Sequence, residues 1–60
     1  MKKLVVLDHI TEETHLIPYD TNVYEDAIEC IIAYQEYHGF DSNINDISFM
    51  EVSEFKLIIL

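Results

Sequence analysis

The chain contains one cysteine, one glycine, one proline and no tryptophan in 60 residues. A single cysteine rules out an internal disulfide, and with it the disulfide-stapled class of small secreted domains. It points to a reducing, cytoplasmic setting. One glycine and one proline leave no material for a glycine-rich phosphate loop or a low-complexity linker. Positive charge is scarce: Lys2, Lys3 and Lys56 are the basic residues apart from histidine, and the interval from Asp8 to Glu54 holds all twelve acids with no lysine or arginine among them. The net charge is −9. Nucleic acids and anionic membranes are bound through lysine and arginine, so neither is expected as a direct ligand, and a basic protein partner is favoured instead. No segment approaches the ~18 apolar residues of a membrane span. The run Leu4 to Leu7 is broken by Asp8 and His9 before it reaches the length of a signal-peptide core.

Hydrophobic residues make up 50% of the chain, enough for one domain spanning residues 1–60. At this size a single core contributes only ~3–5 kcal/mol, which leaves room for self-association. Residues Lys3 to Ile10 form a Val/Leu/Ile-rich first strand, apolar on both alternating faces as far as Leu7. That pattern suits a strand covered on both sides or shared with a partner. Thr11, Glu12 and Glu13 lead as a hairpin turn into a second strand, His15 to Tyr19. Pro18 cannot donate to a ladder, so it places that strand at an edge or ends it.

Asp20, Thr21 and Asn22 are helix-capping types, and Asn22 with Glu25 reads as a capping-box variant. The spacing predicts a helix from Val23 to about His38, ended by Gly39 in the left-handed conformation. At ~100° per residue its apolar residues cover an arc about twice the ~100° needed to pack on one sheet face. Either a second surface covers this helix, or Ile32 and its neighbours are exposed. Glu25, Asp26, Glu29 and Glu36 crowd the remaining stripe. After a polar connection over Phe40 to Asp46, Ile47 to Val52 and Phe55 to Leu60 read as two further strands. Ser53 and Glu54 between them do not favour a tight two-residue hairpin, which suggests a looser turn or one bent strand. The fold expected is α+β, a ββαββ unit with one amphipathic helix packed on a three- or four-stranded, mainly antiparallel sheet.

Lys2-Lys3-Leu4-Val5-Val6-Leu7-Asp8, Thr14-His15-Leu16-Ile17-Pro18-Tyr19-Asp20, and Ser48-Phe49-Met50-Glu51-Val52 before Phe55-Lys56-Leu57 resemble a family of small, acidic, uncharacterised bacterial and phage proteins. The resemblance covers both ends of the chain and implies the order strand, hairpin strand, acidic helix, aromatic-Met strand. It implies no chemistry and no site.

No catalytic, cofactor or metal signature stands out. His9 and His15 flank the first turn beside Asp8 and are zinc-type ligands, but their spacing fits no zinc motif, and they read as hairpin histidines. Asp41 to Asp46 begins like a calcium loop, yet Asp46 stands where glycine is needed and Val52 where a bidentate glutamate is needed. Cys30 has Asp26, Ala27, Ala33 and Tyr34 as its one-turn neighbours, none of them a base that would stabilise a thiolate, and reads as a core residue. The constellation that remains is acidic and aromatic. The chain is therefore expected to be a non-enzymatic protein-binding module that docks on a basic, nucleic-acid-binding protein surface, as a phage or mobile-element inhibitor would. Mimicry of nucleic acid would require the acids to converge on one face. Glu25, Asp26, Glu29 and Glu36 would supply steering and rim charge, with Ile32 or Tyr37 as apolar anchors. The alternative is a homodimeric accessory protein whose charge maintains solubility.

Overall fold

The computed structural model describes residues 2–39 and 43–60. Strand β1 (Lys2–Asp8) forms a hairpin with β2 (Glu13–Tyr19). The helix α1 (Ala27–His38) and a 3-10 turn (Ile44–Asp46) then lead to strand β3 (Ile47–Val52). The sheet order is β2-β1-β3, antiparallel throughout. Pro18 thus lies in an edge strand, where its missing N–H is tolerated.

Because strand side chains alternate between faces, the register divides the sheet cleanly. Leu4, Val6 and Asp8 of β1 share one face with His15, Ile17 and Tyr19 of β2 and with Ile47, Phe49 and Glu51 of β3. This is the inner face, on which α1 packs. The buried core consists of Leu4, Val6, Ile17, Tyr19, Cys30 and Ile31, with Tyr24, Ala27, Tyr34, Ile44 and Ile47 packed around it. Its helical members Ala27, Cys30, Ile31 and Tyr34 follow the i, i+3, i+4, i+7 spacing of one narrow stripe. The helix covers β1 and β2, whereas Phe49 and Glu51 on the inner face of β3 stay exposed.

The hairpin turn is organised by Asp8, a buried acid whose Oδ1 accepts from the N–H groups of Ile10 at 2.9 Å and Thr11 at 3.1 Å. Glu12 closes the turn at φ 59°, a left-handed conformation that costs a side-chain-bearing residue roughly 1–2 kcal/mol. The turn is tied to the start of β3 by the His9 N–H, which donates to the Asp46 carbonyl at 3.0 Å. Gly39 caps the helix as its sequence position predicts, at φ 73° and ψ 27°, its N–H donating to the Gln35 carbonyl.

Two expectations are corrected. The helix starts at Ala27, not Val23, because Asp26 takes the N-cap: its Oδ1 accepts from the Glu29 N–H at 2.8 Å. The Glu29 carboxylate reaches back to the Glu25 N–H at 3.4 Å, close to a capping box. Asn22 does not cap. Its N–H donates at 2.9 Å to Asp20 Oδ1, and the Asp20 carbonyl accepts from Val23 and Tyr24, so residues 20–24 form a separate turn. The order is also ββαβ, since residues 55–60 join no ladder. The chain bends at Ser53 and Glu54, which lack the preference for positive φ that would turn the segment back along β3. Expectations at Phe40, Asp41 and Ser42, including the start of the calcium-like loop, lie outside the described residues.

Ile31 is among the largest fully buried side chains, and truncating such a residue costs about 2–5 kcal/mol in a chain whose total stability is about 3–9 kcal/mol. Ile31→Ala should therefore lose most or all of its cooperative unfolding transition in a thermal melt. Glu12→Gly, which relieves the left-handed strain, should instead raise the melting temperature by several degrees.

Candidate protein-interaction surfaces

The six residues singled out in the sequence serve different ends. Asp26 and Glu29 are tied up in the helix cap. Glu25 lies just ahead of it, and Glu36 extends from the exposed side of the helix. Ile32 is 43% exposed and Tyr37 85% exposed, so the wide apolar arc is resolved by exposure and not by a second covering layer. Five residues of α-helix turn through about 140° net, which puts Ile32 and Tyr37 on opposite flanks of the stripe containing Glu29 and Glu36.

Tyr37 borders a groove of about 370 Å³ together with Pro18, Tyr24, Ala33, Tyr34 and His38. The rings along this side touch in series. Tyr34 lies 4.3 Å from His38, and Tyr37 meets His38 nearly edge-on at 4.9 Å, both between ring centroids. Tyr34 also contacts His15, its hydroxyl 3.5 Å from Nδ1. The sequence singles out Tyr37 but does not join it to β2, because Pro18 and His15 reach this side of the helix only through the tertiary fold.

A second surface was visible in the sequence only as the second apolar face of the first strand. The outer face of the sheet holds Lys3, Val5 and Leu7 from β1, Thr14, Leu16 and Pro18 from β2, and Ser48, Met50 and Val52 from β3. No helix covers it, and Leu16 at 43% and Met50 at 60% exposure mark it as solvent-facing. No acid stands among its nine strand positions: the acids of the strands, Asp8, Glu13 and Glu51, all fall on the inner register. Beyond Val52, Phe55 and the run Leu57 to Leu60 are exposed as well, with Ile59 at 84%. The signal for this face is the parity of acid and apolar positions along the strands, readable only once the register is known.

Sites for chemistry are modest. A small, partly open pocket of about 20 Å³ lies beneath the helix, with Asp8, His15, Tyr34 and Gln35 among its walls. It has room for about one water, against the 300–1,000 Å³ of a ligand pocket. Among the described residues no three His, Cys, Asp or Glu side chains converge as metal ligands. His9 Nε2 lies 2.8 Å from Ser48 Oγ, whereas His15 faces the helix. Cys30 is buried, its thiol 3.5 Å from the Pro18 carbonyl, and burial pushes its pKa up. Burial likewise raises the Tyr19 phenol, with smaller contributions from Glu51 and Asp26. Lys2, bonded to Glu51 at 2.6 Å, is raised chiefly by that hydrogen bond. Among the described residues no helix is long and apolar enough to cross a membrane.

The chain matches no family model, no curated protein and no solved structure.

Two outcomes follow from these placements. Asp26→Ala should cost about 1 kcal/mol through the lost cap, about 4–8 °C in melting temperature, while Glu36→Ala should stay within about 0.5 kcal/mol. Cys30 and Tyr19 both have pKa values raised by folding, so the native state retains protons that the unfolded chain releases. Their contribution is complete below the unfolded thiol value of about 8.5 and is lost as pH climbs through the folded values. Melting temperature should fall from neutral to alkaline pH, and Cys30→Val should delay the onset of that fall.

Proposed function

We propose that this chain is a non-enzymatic protein-binding module that docks the acidic side of its helix, together with the adjoining tyrosine groove, on a basic surface of a partner protein. The observation that carries the reading is the juxtaposition of Tyr24, Tyr34 and Tyr37 along one groove with an acidic helix stripe beside it. An arginine or lysine side chain laid against tyrosine faces gains cation–π attraction, and surrounding carboxylates steer the encounter and form rim pairs. Tyr37 is the anchor in this reading. Ile32, beyond the acids, is peripheral, and Asp26 acts through the helix cap. Nucleic-acid-binding proteins are the partner class whose function supplies such a basic patch, which agrees with an inhibitor from a phage or mobile element.

Self-association is the second reading, favoured by a different observation. Folded monomers of this mass expose about 4,100 Å² by area scaling, whereas this 7.1 kDa chain exposes 4711 Å².

Glu25 and Glu36 are the acids to reverse, because reversing Glu29 would also disturb the cap. Immobilised protein should retain a basic protein from lysate at low salt and release it at high salt. Glu25→Lys/Glu36→Lys should slow association and flatten its salt dependence, and Tyr37→Ala should mainly speed dissociation. Capture of the same proteins at unchanged rates by the charge-reversed variant would sink the docking reading.

A further inference from the structure

Among the described residues no element covers the outer sheet face, and its composition restricts what can cover it. A chain of net charge −9 repels its own copies over nearly every approach. The outer face is the exception, because its nine strand positions include no carboxylate and one lysine, Lys3. Its centre is Val5, in the middle strand, flanked by Leu16 and Met50 on the edge strands. A middle strand apolar on both faces belongs in a structure layered on both sides, and here the helix supplies one layer only.

We infer that the missing layer is a second copy of this chain, the two outer faces packing sheet against sheet as a β-sandwich. This rests on the self-association reading and assigns it a surface. The chain as a whole exposes roughly 600 Å² more than a compact monomer of its mass, the run Leu57 to Leu60 included. The chain is a slab of 35 × 27 × 17 Å. Two such slabs would meet at the ~10 Å spacing of packed sheets, with both helices and their acids outward. Charge also favours an isologous, antiparallel arrangement. It brings Lys3 of each copy towards the hairpin end of the other, where Glu12 and Glu13 lie, and away from the other Lys3.

Salt separates this association from docking on a basic partner. Screening weakens attraction between opposite charges but relieves repulsion between two copies of −9, so the dimer should tighten as salt rises. The experiment is mass by light scattering across a concentration series at low and high salt, with melting temperature and far-ultraviolet circular dichroism on the same samples. It compares the wild-type chain with Leu16→Glu/Met50→Glu. The expected result is a wild-type dimer, tighter at high salt, with a concentration-dependent melting temperature. The variant, which places carboxylates in the apolar interface, should dissociate roughly a hundredfold or more readily while keeping its spectrum. Should it lose its spectrum, Leu16→Thr/Met50→Thr serves the same purpose with a smaller loss of affinity. A folded variant that remains dimeric overturns this interface and leaves self-association standing. A wild-type chain monomeric at every concentration and salt overturns both, and leaves the basic-partner reading untouched.

Discussion

The structure depends on one contact: the meeting of Leu4, Ile17 and Ile31, the three largest fully buried side chains. They join the middle strand, an edge strand and the helix, and hold the fold's two layers together. With a core this small, each other element is placed by how far that contact reaches. The helix settles over β1 and β2, where Val6, Tyr19 and Cys30 complete the buried set. The inner residues of β3 are left largely uncovered. Local polar devices then fix the ends: Asp8 in the hairpin, Asp20 and Asp26 before the helix, Gly39 after it, and Asn43, whose side chain accepts from the Asn45 N–H at 2.9 Å.

Much of this was legible in the sequence because it is encoded locally. Pro18 excluded a central position for β2, Gly39 marked the helix end, and the span Ile47 to Val52 was bounded by polar residues on both sides. The helix start was not legible. Asn22 with Glu25 and Asp26 with Glu29 have the same capping spacing, and what separates them is tertiary: the buried stripe begins at Ala27, whereas Val23 remains exposed. The C-terminal run was misread for a related reason. Apolar β-branched composition reports a demand for burial, and a ladder is only one way to meet it. On the sequence alone the site could be read only as acids on a helix with Ile32 or Tyr37 as an apolar anchor. The tyrosine groove and the acid-free sheet face both depend on which strand residues share a side, and a pattern of single residues does not give that before pairing is known.

The distribution of charge turns these features into two chemically distinct sides. Acids in the strands could in principle occupy either face, but Asp8, Glu13 and Glu51 all take the inner register. Asp8 serves the turn, and Glu51 pairs with Lys2. The inner face tolerates Asp8 because its carboxylate is taken up by the turn N–H groups, and Glu13 and Glu51 because they remain exposed. The strand acids are thereby kept to the helix side, leaving the outer strand positions without a carboxylate. A chain with its acids scattered evenly would be soluble and monomeric with no preferred mode of approach.

That separation bears on how the two proposed associations relate. If two copies meet through their outer sheet faces, both helices and both tyrosine grooves remain outward, so dimerisation does not compete with docking on a basic surface. It reinforces such docking, because a partner with two basic patches at suitable separation would engage both grooves and gain avidity from effective concentration without any new contact. The two steps respond to salt in opposite directions, so the doubly docked assembly would be most stable at intermediate ionic strength, where repulsion between copies is partly screened and attraction to the basic partner is still felt.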